Sequence, residues 1–249
     1  MGSDWSWTLA LPGGALTSAT VERLLALAND SGLSPHRPDG GINGFANLPG
    51  REGDHEVLTR HQLVQGLTTG SWATNLWTRS EADIGLSTTP SGGTGWDLVS
   101  LSLNSAHCRR TPTADAEPFR QLHRQLTGLW LTVATGLGAV FGRVEDEWSL
   151  EQIWSELPDS RMHVTPPPPG SSPDWLSWLT YFDADHHRRL APVLAELNAD
   201  VRRTSDGAAV IVLLGDPAAV DPVKFAQLHH EYRRAVAAHR GQVLTSESG

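Results

Sequence analysis

The sequence predicts an α+β fold: an antiparallel or mixed sheet with helices packed on one face, in an order open to two ferredoxin-like (split βαβ) halves. Three observations predict it. Strand-like and helix-like segments succeed one another as β-α-β-β-β-α-β-(short α)-β-α-β-β-α. Residues 175–182 (Trp-Leu-Ser-Trp-Leu-Thr-Tyr-Phe) combine more aromatic area with less charge than any other stretch of that length, as a core strand does. Finally, 39% of the 249 residues are hydrophobic, enough to bury a real core.

In chain order, residues 5–11 alternate large and small side chains as a strand and stop at Pro12-Gly13-Gly14. A helix begins near Ser18 or Thr20, carries Val21, Leu24, Leu25 and Ala28 on one face, and ends at Gly32. Residues 34–59 are rich in Gly, Pro, Asn and Asp without periodicity and read as one long loop. Its His36, Arg37, Asp39, Asp54, His55 and Glu56 make it a first place to look for a binding surface. Residues 71–79, 82–88 and 97–108 read as three strands, the last two joined by a flexible tip at 90–95. A helix from Asp115 or Glu117 to about Thr135 tolerates Pro118 in its first turn and buries Phe119, Leu122, Leu126, Leu129 and Val133. Gly136 and Gly138 end it, residues 139–144 form a strand, and Ser149 caps a short helix through Trp154 to Leu157.

Residues 158–173, with four consecutive prolines from Pro166 to Pro169, form a connector whose backbone favours an extended, solvated state. After the aromatic strand come a helix over 184–197, strands over 201–204 and 208–214 joined at Asp206-Gly207, and a helix from Asp221 or Pro222 to His239. The chain thus divides into an N-terminal half (1–157), the connector (158–173), a βαββα unit (174–240) and a frayed tail (241–249), the halves packing as one globular domain. No residue pattern repeats between the halves.

A net charge of -9 argues against nucleic acid, whose binders displace counterions with a basic face. An acidic chain is suited instead to a basic partner. Cys108 is the sole cysteine, which excludes an intrachain disulfide and a thiolate zinc cluster. Residues 1–11 lack the basic start and apolar core of a signal peptide, so the expected location is the cytoplasm. The uncharged run 125–142 reaches the lower length limit of a membrane span, but its threonines and glycines fit a helix end followed by a strand, and no membrane partner is expected. Gly136-x-Gly138 lies after a helix and before a strand, the reverse of a dinucleotide loop, and the chain has neither a nucleophile elbow nor a phosphate loop. No cofactor is expected.

Four clusters could carry chemistry. Asp183-Ala184-Asp185-His186-His187 is the densest set of metal-ligand types, with Asp183 and His187 one turn apart on a helix. The simpler reading is that Asp183 or Asp185 caps the helix while both histidines sit in water. His229-His230-Glu231 fails the metalloprotease spacing, because Arg234 stands where the second ligand is needed. Cys108, between His107 and Arg109-Arg110, has a setting that favours a thiolate, against the plainer reading of a packed strand end. Glu145-Asp146-Glu147 beside Trp148, with Glu151 following, is either a crowded carboxylate set for acid catalysis or cation binding, or a face turned to a basic partner; the second is the stronger. Most of the 10 tryptophans belong in the core, and Trp96, Trp148 and Trp154 are the candidates for exposed anchors.

Glu147-Trp148-Ser149-Leu150, then the aromatic stretch, the Asp206-Gly207 hairpin and Leu213-Leu214-Gly215-Asp216-Pro217 together resemble the small α+β immunity proteins encoded beside bacterial polymorphic and type VI toxins, particularly the immunity protein 52 kind. The resemblance covers about residues 139–237 and implies a protein that binds a cognate toxin and occludes it. The expected function is therefore that of an immunity-type binding protein for a basic toxin domain, with Glu145, Asp146, Glu147, Trp148, Glu151, Trp154 and Trp96 as contact residues. The alternative is an enzyme of specialised metabolism with a Trp-lined pocket, using His107, the 145–147 carboxylates, or Asp183, His186 and His187 as acid, base or ligands. A homodimer paired through a sheet edge is a third arrangement.

Overall fold

The computed structural model describes residues 4–78, 83–92, 95–104, 116–154, 173, 175–197 and 200–246. Among them are ten strands and six helices, in two compact units, Met1–Gly142 and Arg143–Gly249. No helix among the described residues is long and apolar enough to cross a membrane.

The first unit contains β1 (Trp5–Pro12), α1 (Ser18–Asp30), β2 (Asn43–Ala46), β3 (His55–Val57), α2 (Arg60–Thr69), β4 (Trp72–Trp77), β5 (Asp83–Thr89), β6 (Trp96–Leu103), α3 (Glu117–Leu137) and the start of β7 (Phe141–Asp146). Its sheet runs β3-β2-β4-β5-β6-β1, with β7 entering beside β1, where Val140 N–H donates to Ala10 C=O at 2.9 Å. The β5-β6-β1-β7 order is a split βαβ plan. β6 lies antiparallel between β5 and β1, and α3 leads from β6 over β1 to β7. Helix α1 packs on both α2 and α3, with α2 against β4 and β5 and α3 against β1, so the three share one face of this sheet.

Local sequence explains the helices. The Thr17 side chain caps α1, and the four residues expected on its inner face, Val21, Leu24, Leu25 and Ala28, are the buried ones. In α3, Phe119, Leu126, Leu129 and Val133 are buried as spaced, Leu122 is half-buried, and Gly138 closes the helix in the left-handed region at φ 67. The core between α1, α3 and the sheet is closely filled: the gap among Trp7, Leu9, Leu24, Leu101, Trp130 and Val133 is only about 10 Å³, no more than the room of a single water, and its lining is apolar. The buried indoles are satisfied, Trp7 donating to Thr127 Oγ1 (3.0 Å) and Trp130 to Thr8 C=O (3.1 Å). Asp97, 1% exposed, accepts the amides of Leu16 and Ser91, each at 2.7 Å, and so ties the loop after β1 to the β5–β6 hairpin.

The second unit holds the rest of β7, α4 (Glu147–Trp154), β8 (Leu179–Phe182), α5 (Ala184–Glu196), β9 (Asp200–Arg203), β10 (Ala209–Val212) and α6 (Pro222–Ser246). Its βαββα order is as expected: α5 carries the chain from β8 to β9, and β10 fills in between them, antiparallel to both. The β9–β10 hairpin turns at Gly207, whose φ of 89 suits glycine.

Several expectations are corrected. The segment 34–59 is not an unpatterned loop: it contains β2 and β3, and Ser34 and Trp77 exchange main-chain hydrogen bonds at 3.1 and 2.7 Å. Helix α2, for which no element was expected, follows it. The aromatic strand is shorter than expected: only residues 179–182 join the ladder, while Trp175, Leu176 and Trp178 are buried without strand geometry. Ser149 lies inside α4, which starts at Glu147, and α6 runs on to Ser246 through most of the expected tail. The connector 158–172 lies outside the described residues.

Candidate docking surface

The chain passes from β7 straight into α4, and the carboxylates at that junction part ways. Glu145 and Asp146 are 6% and 0% exposed. Glu145 accepts a hydrogen bond from Ser177 Oγ at 2.5 Å and lies 3.6 Å from the Arg143 guanidinium, which stacks over Trp175 at 5.2 Å. Asp146 accepts from Ser149 Oγ and from the Trp178 indole N–H at 2.6 Å; the same N–H reaches Ser149 Oγ at 2.9 Å. Burial on this scale requires such partners, since an ionised carboxylate is costly away from water unless bonded. These two acids are therefore interior groups that hold the aromatic segment to β7 and α4, which corrects their expected place on an outward face. Glu147 and Glu151 are exposed and Trp148 is half-buried. One turn apart on α4, the two glutamates share a side of the helix, with Glu147 in its first turn, where the helix dipole favours an acid.

Trp96, expected at the surface, is 7% exposed at the first position of β6, opposite Pro12. The Trp154 side chain lies outside the described residues, as do His107 and Cys108. Among the other tryptophans, Trp5, Trp7, Trp130, Trp175 and Trp178 are all 3% exposed or less.

Asp183 caps α5: its carboxylate accepts the His186 amide at 2.8 Å and lies 2.7 Å from His186 Nδ1. His187 Nδ1 is instead 3.3 Å from the Gly207 carbonyl in the β9–β10 turn. Both imidazoles are 8% exposed, which corrects the expectation that they sit in water: α5 presents them inward together with Leu190, Val193 and Leu194. Asp183 thus meets His186, while His187 meets a backbone carbonyl, and no three His, Cys, Asp or Glu side chains among the described residues gather to hold a metal ion.

Charge at the β8 end of the unit is distributed by its turns. Tyr181 is pushed up to about 12, chiefly by burial and then by the negative charges of Asp206 and Asp183. The Asp206 carboxyl is held below its usual range, first by the Thr204 hydroxyl and then by the Ala208 amide, the bonds that close the β9–β10 turn.

Two further surface features stand out, the first without a sequence expectation and the second within the 34–59 segment singled out above as a place to look for a binding surface. A groove of about 470 Å³ between α2 and β4 is walled by Gln62, Gln65, Thr68, Thr69, Ser71 and Trp72, hydroxyl and amide groups beside one indole. The second is the hairpin of β2 and β3. Its turn is braced by Arg51, which bonds Asp54 at 3.1 Å and Glu56 at 2.8 Å.

No family model matches the chain, and none of the curated proteins does. Among solved structures the chain is similar to the T6SS protein PA0821 of Pseudomonas aeruginosa, with a TM-score of 0.52 and 14% identity over 93% of this chain and 73% of that one. At that identity the likeness is one of fold.

Proposed function

We propose that this chain is a binding protein of the immunity type, associated with type VI secretion, which neutralises a basic toxin domain by covering it. The observation that carries the reading is how the fold uses its acids. Glu145, Asp146 and Asp183, the carboxylates best placed by sequence for chemistry, are bonded into the structure, while Glu147 and Glu151 stand free of such use on the outer side of α4. A chain of net charge -9 with outward glutamates is steered toward a basic cleft of the kind that nucleic-acid-cutting toxins carry. The similarity of fold to a T6SS protein is consistent with this setting. Co-expression with the product of the adjacent gene tests it. The expected result is a stable complex on size exclusion, with loss of the partner's toxicity; no complex at micromolar concentration would overturn it.

A further inference from the structure

β3 is the outermost strand of its sheet, and the register determines which of its main-chain groups are taken. Leu58 N–H donates to Ile42 C=O at 2.9 Å and Ala46 N–H to Asp54 C=O at 2.8 Å, so Glu56, Leu58 and the Asp54 carbonyl face β2, while the Asp54 N–H closes the turn on Arg51 C=O at 3.1 Å. In an antiparallel ladder the direction alternates, so the N–H and C=O of His55 and Val57 point off the sheet. All three residues of β3 are exposed, Val57 by 65%. Two of the three exposed large hydrophobic residues among those described, Leu48 and Val57, belong to this hairpin.

We propose that β3 is a docking edge on which an extended segment of a protein partner adds a strand, with a basic residue opposite Glu56 and apolar residues opposite His55 and Val57. The proposal rests on the reading of the chain as a partner-binding protein and names one surface for it. Charge selects the occupant. The turn and strand carry Glu52, Asp54 and Glu56 against a single Arg51, which pairs with Asp54 and Glu56 on the exposed surface and leaves the hairpin with an excess of negative charge. A second copy of this chain is a poor fit: three antiparallel registers superpose outward-facing residues, and two of them set Glu56 opposite Glu56 or Asp54 of that copy, where like charges destabilise. The face carrying Phe45, whose ring centroid lies 5.3 Å from that of His55, supplies apolar contact for alternate side chains of the incoming strand.

The test uses the full chain and short capped peptides that alternate valine with lysine, or valine with glutamate, followed by amide hydrogen exchange. The lysine peptide is expected to slow exchange at His55 and Val57 by roughly tenfold at saturation, leaving Glu56, already bonded to β2, unchanged. The glutamate peptide should give no protection. Val57→Pro removes only an outward N–H, so it should abolish the effect with the fold retained; Glu56→Lys should exchange the preference toward the glutamate peptide. Equal protection by both peptides, or protection that survives Val57→Pro, would overturn the proposal. The adjacent gene's product separates the two readings: a complex that Val57→Pro leaves intact sinks the edge and keeps the function, whereas no complex with a clear peptide response does the reverse.

Discussion

At the scale of single residues, caps and close approaches make the sharpest statements. Asp183 satisfies an orphan amide of α5 and sits beside His186, so Asp183→Ala should lower stability by about 1 kcal/mol, measured by urea unfolding, while Asp183→Asn, which keeps the acceptor, should lose much less. A metal-site role would reverse that order of importance toward His187. Gly142 is needed for a close approach: a Cβ there would lie 2.7 Å from Leu9 Cδ2 and 2.8 Å from Trp130 Cζ2, both in a filled core. Gly142→Ala should therefore cost about 1–3 kcal/mol, visible as a fall in Tm. Tyr181 gives the pH dependence. Its folded pKa is raised to about 12 from 10.0, so the fold favours the neutral phenol; that contribution is complete below pH 10 and is lost as the pH climbs through 12. Urea midpoints of wild type should slope downward across this window, and Tyr181→Phe should flatten the slope. An unchanged slope would show that Tyr181 is not the group responsible.

At the scale of elements, β7 shows how one strand divides its acids. Glu145→Ala should cost about 3 kcal/mol in chemical denaturation, because it takes a charged partner from a buried arginine and an acceptor from Ser177. Glu147→Ala, two residues on, should stay within about 0.5 kcal/mol of wild type. The sequence could not distinguish these neighbours, since Glu145-Asp146-Glu147 reads as one acidic run and only the arrival of Ser177 and Trp178 from elsewhere in the chain separates them. Elements with strong periodicity were legible: α1 was read with its four inward residues, and α3, α5 and the β9–β10 hairpin were placed within a few residues. Helix α2 was missed although its start is written plainly. Thr59 and Gln62 form a reciprocal capping box ahead of Leu63, Val64 and Leu67, a signal hidden by the Gly- and Asp-rich residues before it. β2 and β3 were missed for a different reason: strands of four and three residues, one containing Gly44 against Leu58, are too short to show a period.

At the scale of the molecule, fold class follows from the order of segments, but the proposed docking face does not, because it depends on which charges the interior leaves over. Among the described residues of the first unit, Arg37 pairs with Asp39, Arg51 is shared between Asp54 and Glu56, and Arg124 pairs with Glu117. Such exposed pairs contribute little to stability. On α4, by contrast, Glu147 and Glu151 stand one turn apart with like charge, an arrangement that costs a helix a few tenths of a kcal/mol unless a cation approaches. If that cation belongs to a partner, the glutamates should act mainly on encounter. Glu147→Lys with Glu151→Lys should then lower the association rate with the adjacent gene's product by about tenfold at low ionic strength, with little change in dissociation, and the difference should shrink as salt approaches 1 M. Stopped-flow measurement across a salt series gives the answer. A deficit that persists undiminished at high salt, or that appears in the dissociation rate alone, would mean that α4 does not steer the encounter and that docking is confined to surfaces such as the β3 edge.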